Sequence, residues 1–481
     1  MNRLTLIWLA LPAILTLLLP LQAKVGEWRT LRDEDGTALR VRFEGIRDSR
    51  YLLRREKDGR LFEVAPGLLP PAEHERFAQE AATLDQELAK LRQTVGKPIF
   101  SGTPFEVRHA AEIAAILDLR IESQTAHSTS WRLYAPDSYR LFGARPYSVA
   151  LYADQEQHPT VLSAVFANKG DFGSRAGMGV DHFEGGTEAT EKSLEKAMEH
   201  DEQTIEKAIS SALGEADTQR YGEGKSRRTV KRWDWNGHSL LLSSEEHEYV
   251  SLSIVPLELA EAGGKTAKVR DSELKERLAA DVVRKANGDV YLSQIPMVNQ
   301  GPKGYCVPAT FERAMRTMGI EADMYLLAMV GGTSMGGGTS VERLLENVRS
   351  QVYRKGRRPK DESIRRLRIR DIKRYIDDGI PVMWRMCSLD SYNQIATLNT
   401  RRRENVRDWA AWKLTIEEES ESLVEGERIE ANHHICMIIG YNEQTNELAV
   451  SDSWGARYEL RWVPVPVADW VSNGGIFMIL P

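Results

Sequence analysis

Cys306 is the residue best placed by its neighbours to do chemistry. It stands in Gln300-Gly301-Pro302-Lys303-Gly304-Tyr305-Cys306-Val307-Pro308-Ala309, six residues after a glutamine and behind two glycines. Val307, Phe311, Ala314, Met315 and Met318 recur at helical spacing after it, and Gly319 is a stop signal. The thiol is therefore expected at the N-terminus of a helix, where aligned N–H groups favour the nucleophilic thiolate. Gly301 and Gly304 let the preceding backbone come close to a substrate. Gln300 is expected to aim its side-chain amide at the point faced by the Cys306 N–H. Two such donors form an oxyanion hole, which commonly contributes about 3 kcal/mol to transition-state stabilisation.

A base and its orienter lie far downstream. Asn432-His433-His434 precedes Ile435-Cys436-Met437-Ile438-Ile439-Gly440-Tyr441, a β-branched run that reads as a buried strand. Successive strand residues face opposite sides, so only one of His433 and His434 can address Cys306. Asp452 follows eighteen residues after His434, in Val450-Ser451-Asp452-Ser453-Trp454-Gly455. A carboxylate there can accept the far imidazole N–H and hold the tautomer. Trp454 is placed to shield that hydrogen bond from water.

These stretches resemble the papain-like cysteine peptidase superfamily. The likeness rests on Gln-Gly-x-x-Gly-x-Cys, on a histidine six residues before Gly440-Tyr441, and on Asp-Ser-Trp-Gly. The Cys306-Val307-Pro308-Ala309 continuation is similar to the bacteriocin-processing branch, which cleaves double-glycine leaders. It covers residues 286–481. The resemblance implies Cys306 as nucleophile, His434 rather than His433 as base, Asp452 as orienter and Gln300 as oxyanion donor. It implies cleavage of peptide (amide) bonds and a helix packed on an antiparallel sheet. Gly304, Tyr305, Gly337, Gly338 and Trp454 are expected to touch the substrate. The chain departs from the pattern at Val307, in a long insertion at about 389–430, and in having no transporter domain. A scaffold that binds peptides without cutting them, or a thiol hydrolase acting on cell-wall peptides or acyl groups, is the alternative.

The elements that must carry this set span a chain of 481 residues, enough for two or three domains. A hydrophobic content of 42% with 28% charged residues describes a globular protein, and a net charge of −6 argues against nucleic acid as a partner. Asn2-Arg3 and the apolar run Leu4–Leu19 read as a signal peptide ending at Ala23, with an uncleaved membrane anchor as the other reading. An exported, periplasmic or extracellular protein is expected, with no stable membrane insertion after cleavage. Three cysteines make a poor disulfide framework. Cys387 and Cys436 fall in strand-like runs, either as buried inert thiols or as a pair. No metal or organic cofactor is expected; a peptide or protein substrate is. The oligomeric state stays open.

The whole reads as α+β. Residues 25–70 alternate as short strands around Asp35-Gly36 and Asp58-Gly59, and resemble an SLA-type homology β-barrel. Residues 71–96 read as a helical linker. Residues 97–262 read as an α+β domain, with a helix at Glu191–Leu213 and an Asn236-Gly237 hairpin, and without a recognisable catalytic motif. Trp233, Trp235 and Tyr249 there belong either to a binding surface or to a packed hairpin. The papain-like domain occupies 286–481. Within it, the glycine-rich stretch 331–340 lacks a phosphate-loop ending. It is expected to line a cleft or merely to connect, with Thr339 and Glu342 boxing the next helix. The basic tract 354–374 and the acidic tract 417–430 either pair or are separately solvated.

Overall fold

A computed structural model describes residues 26–32, 36–172, 190–301, 304–335, 337–424, 430 and 432–481. The expected leader at 1–23 lies outside the described residues, as do residues 425–429 of the acidic tract. The chain forms two compact units, one up to Gln86 and one from Glu87 onward. Among the described residues no helix is long and apolar enough to cross a membrane.

The first unit is an antiparallel meander of β1 (Arg29–Arg32), β2 (Ala38–Arg47), β3 (Arg50–Arg55) and β4 (Leu61–Val64). Val41 and Phe43 alternate into its core. Among the described residues the strands do not close into a barrel. Among the described residues β1 and β4 are unpaired edges of an open sheet. Phe77 of helix α1 (Pro71–Val95) stacks on Phe43 at 5.9 Å and lies 5.5 Å from Tyr51. A helix, rather than barrel closure, covers the apolar face.

Among its described residues the second unit has two sheets, antiparallel throughout. Helix α2 (Ala110–Ile116) precedes β5 (Arg120–Gln124), β6 (Thr129–Tyr134), β7 (Ser148–Ala153) and β8 (Pro159–Asn168). Helix α3 (Glu191–Leu213) follows and buries Leu194, Ala197, Met198, Ile205 and Ile209 at the expected spacing. The chain returns as β9 (Asp217–Tyr221), β10 (Arg228–Trp235), β11 (His238–Glu245) and β12 (Tyr249–Pro256). The order is β5-β6-β7-β8-β12-β11-β10-β9. Asn236 and Gly237 take φ of 48° and 79°, the left-handed pair that a two-residue hairpin needs. Trp233 and Trp235 are buried in this hairpin, not displayed. Helices α4 (Leu257–Glu261) and α5 (Asp271–Ala280) lead to the next sheet.

That sheet comprises β13 (Val282–Arg284), β14 (Asp289–Leu292), β15 (Arg358–Ser363), β16 (Val382–Cys387), β17 (His433–Asn442), β18 (Glu447–Ser451), β19 (Arg461–Pro464) and β20 (Ser472–Leu480). Its order is β13-β14-β17-β16-β20-β15, with β18 joining β17 to β19. Helices α6 (Cys306–Thr317), α7 (Met324–Val330), α8 (Val341–Arg354) and α9 (Ile369–Asp377) come before the insertion. The insertion itself is helical: α10 (Asp390–Arg403) and α11 (Trp409–Val424), held together by Arg402 and Glu419 at 2.8 Å. Helix α12 (Val465–Val471) precedes the last strand. Phe311, Ala314, Met315 and Met318 bury the α6 stripe, and Gly319 ends it at φ 68°. Ser340, not Thr339, caps α8, accepting from Arg343 N–H at 3.2 Å. Thr339 instead shares a 2.7 Å hydroxyl bond with Thr333. Cys387 and Cys436 are free buried thiols, and Trp384 faces Cys436 across β16 and β17.

Candidate active site

Cys306 is the first residue of α6, so its sulfur sits where unpaired helix N–H groups gather. Thr310 Oγ1 donates to Ile435 O at 3.2 Å, which pins α6 to the start of β17. Buried Arg313 extends that grip. Its Nε donates to Pro296 O at 2.9 Å, and its terminal nitrogens reach Ser451 O and Oγ at 3.3 and 2.5 Å. One guanidinium thus joins the helix behind Cys306, the loop before Gln300 and the residue before Asp452.

His434 is the second residue of β17 and pairs with Met386 of β16, so the sheet sets its direction. Its Nε2 lies 2.9 Å from Asp452 Oδ1. The imidazole also faces the Cys306 thiol, with which it interacts electrostatically across the same cleft. With Nε2 taken by Asp452, Nδ1 is the nitrogen left for sulfur. His433 points elsewhere, its Nδ1 3.2 Å from Asn473 Nδ2 at the rim.

The protonation states follow from these contacts. Burial pushes the Cys306 thiol up, but the hydrogen bond and charge of His434 and backbone hydrogen bonds at Ile435 and Val307 carry it below its ordinary value. Burial pushes His434 down, while Asp452 and Cys306 together lift it to about 9. Burial raises Asp452, and the His434 hydrogen bond and Arg461 charge outweigh it, leaving the carboxyl below its ordinary range. Both shifts favour a thiolate beside an imidazolium.

Asp452 is held on both oxygens. Arg461 donates to Oδ2 at 2.5 Å, and Asn393 Oδ1 of the insertion accepts from the same guanidinium nitrogen at 3.1 Å. Trp454 stacks on the His434 ring at 4.8 Å and 26°. It covers the imidazole and is absent from the residues lining the cleft. Arg461 and Arg313 escaped the sequence reading. The available signal was an arginine in each of two otherwise apolar runs, Leu460–Val463 and the buried stripe of α6.

The Gln300 loop is built from a distance. Gln300 is buried, and its N–H donates to Ser453 O at 2.8 Å, beside Asp452. Asn299 is gripped by the middle sheet: its N–H donates to Glu122 Oε1 at 2.8 Å, and the Tyr134 hydroxyl donates to its carbonyl. Met297 N–H donates to Ser123 Oγ at 3.0 Å. Gly301 has φ 70°, and a Cβ there would fall 2.7 Å from the Tyr134 ring. Only glycine meets both conditions. Gly304 and the 337–338 segment approach backbone to backbone, with Gly338 N–H donating to Gly304 O at 3.2 Å. A Cβ on Gly304 would lie 2.8 Å from Gly338 N.

A cleft of about 790 Å³ opens on Cys306 and His434. Val307, Gly338, Glu342, Arg385 and Asn473 are among the residues around it. Glu342 and Arg385 form an ion pair on its wall. Tyr305 does not reach it. Its ring is buried against Tyr325 at 5.3 Å and its hydroxyl donates to Asn168 Oδ1 at 2.9 Å, so a substrate contact by this side chain is corrected to a core contact. The described residues that could group around a metal ion are Asp154, Glu156 and His158, on the β7–β8 turn. Asp154 Oδ1 there already accepts the N–H groups of Glu156 and His158 at 2.9 and 2.8 Å.

Residues 292–470 match the model of the Peptidase_C39 like family. No curated protein matches the chain. Among solved structures, the chain is similar to the peptidase domain of Streptococcus ComA, described as a bi-functional ABC transporter involved in a quorum sensing pathway. That likeness has 12% identity and a TM-score of 0.25, and covers 39% of this chain and 99% of the other. The C-terminal part of this chain is therefore similar to the Peptidase_C39 like family.

Proposed function

We propose that the chain is a cysteine-type hydrolase that cleaves peptide bonds at Cys306. The observation that carries this reading is one imidazole, His434, held between the Asp452 carboxylate and the Cys306 thiol. The thiolate attacks the scissile carbonyl carbon and its C=O electrons move onto oxygen. The Cys306 N–H and the Gln300 side-chain amide receive that oxyanion. The His434 imidazolium gives its proton to the leaving amine as the C–N bond breaks. Neutral His434 then takes a proton from water, whose oxygen attacks the thioester and releases the acid and the thiol. Asp452 holds the ring through both steps and stays ionised. The reaction needs no metal.

The substrate is read as an extended peptide lying in the cleft, its backbone facing Gly338 and Gly304. Export belongs to the same reading, because residues 1–23 have the charge and apolar pattern of a signal peptide. The test is peptide-library hydrolysis by the reduced protein, compared with Cys306→Ala. Hydrolysis by the wild type and its loss in the folded variant are expected. Equal hydrolysis by both would remove the mechanism; peptide binding without hydrolysis would make the domain a binding scaffold.

A further inference from the structure

A second cavity, of about 370 Å³, lies away from Cys306, against the middle sheet. One wall is formed by β8 and β12. Ser163 and Ser253 are register partners there, and Ser251 follows on the same face. Val250, Leu252 and Ile254 alternate with these serines and are buried on the other face. A sheet face enclosed within a compact unit is ordinarily apolar. Here hydroxyl groups occupy its centre and line a cavity.

Arg228, the first residue of β10, lines the same cavity and is only 8% exposed. Its one hydrogen bond is a long donation to Ser226 O at 3.4 Å, and its Nε has no acceptor. The guanidinium also lies 5.5 Å from the Tyr221 ring and acts on Tyr249. Glu245 feels its charge, but among the described residues no carboxylate comes within 4.0 Å of it. The neighbouring cations are committed. Lys355 Nζ donates to Glu223 Oε1 at 2.8 Å, and Arg316 reaches Glu312 at 3.5 Å and Ser128 at 3.3 Å. A buried cation without an ion-pair partner is destabilising, so its retention calls for one.

The chemistry of that partner is constrained. A planar guanidinium matches a carboxylate in two parallel hydrogen bonds. Arg277 also lines the cavity, donating to Thr317 O at 2.6 Å, but among the described residues Arg228 is the buried cation of the lining that has no ion pair. With the Glu223, Glu321 and Asp323 carboxylates on the same lining, a monoanion suits it better than a phosphate dianion. The serine hydroxyls can bond a polar linkage, and Val161, Val165, Val255 and Ile320 offer apolar surface. The volume falls in the range of small-molecule sites. We propose that this cavity binds a small organic monocarboxylate, with its carboxylate on Arg228 and its apolar body against these four side chains.

The test uses the full chain with acetate, benzoate and hippurate as carboxylate probes, and hippuramide and inorganic phosphate as controls. Calorimetry and thermal melting are read together. Saturable binding is expected for at least one carboxylate, with the amide and phosphate silent. Arg228→Gln is expected to weaken that binding by roughly tenfold or more, the scale of losing a charge-assisted bond. It is also expected to raise the melting temperature of the unliganded protein, because an unpaired buried charge is gone. Ser253→Val, which leaves Arg228 in place, is expected to weaken binding while keeping the fold. The proposal is overturned if no carboxylate binds, if phosphate or the amide binds equally well, or if binding is indifferent to both variants. A lower melting temperature for unliganded Arg228→Gln would overturn it too, by making the guanidinium structural.

Discussion

Arg461 donates to the Asp452 oxygen that His434 leaves free, so one buried carboxylate joins a fixed cation to the imidazole that titrates. Removing the guanidinium leaves Asp452 with one partner. Arg461→Met is expected to lower stability by about 3 kcal/mol, the scale of breaking a buried pair. Residual turnover is expected to fall at least tenfold, read from kcat at constant KM, and the alkaline limb of the pH profile to move upward, because a cation that opposes the imidazolium charge is gone. A profile that keeps its position would make Arg461 a purely structural contact.

The thiolate–imidazolium pair has its own pH window. Its upper edge is the deprotonation of His434, which is lifted to about 9. Its lower edge is protonation of the Cys306 thiolate, whose pKa lies below the ordinary thiol value. Iodoacetamide labelling of Cys306 should therefore persist below the ordinary thiol range, while peptide turnover declines above about pH 9. Labelling that rises only near the ordinary thiol range would show an unactivated sulfur.

The middle sheet reaches the Gln300 loop through Glu122 and Tyr134. Glu122→Gln and Tyr134→Phe each weaken a hold on Asn299 without touching the thiol. The expected result is a kcat lowered by roughly tenfold, on the scale of a displaced oxyanion donor, with labelling of Cys306 unchanged. If both fall together, the sheet supports the whole site rather than this loop.

Gly301→Ala places a Cβ against the Tyr134 ring at a left-handed φ of 70°. A cost of about 1–3 kcal/mol is expected in denaturant melts. Gly301→Ala combined with Tyr134→Ala removes the clash but not the backbone strain, so only part of the loss should return. Full recovery would assign everything to the clash.

Local pattern made several elements legible before any contact was known. The apolar spacing after Cys306 marks α6, and its first residue is the cysteine itself. Asn236-Gly237 marks a hairpin because few other residue pairs adopt two successive positive φ values. The barrel expected at 25–70 shows the limit of such reading. Alternation reports a half-buried strand, but not whether a fifth pairing or a helix such as α1 covers its face. Tyr305 shows it again: adjacency to Cys306 in sequence says nothing about which side of the helix start a ring takes.

The sequence by itself determined which chemical groups are present, in what order, and on which kind of element each stands. Periodicity and turn chemistry act within a few residues, so they can be read there. Only the tertiary structure decided what holds those groups: Arg461 and Asn393 on Asp452, Arg313 behind the helix, and Glu122 gripping Asn299 from 177 residues away. Such partners are chosen by packing between distant segments. A lone arginine or glutamate in a sequence carries no mark of which one it will meet.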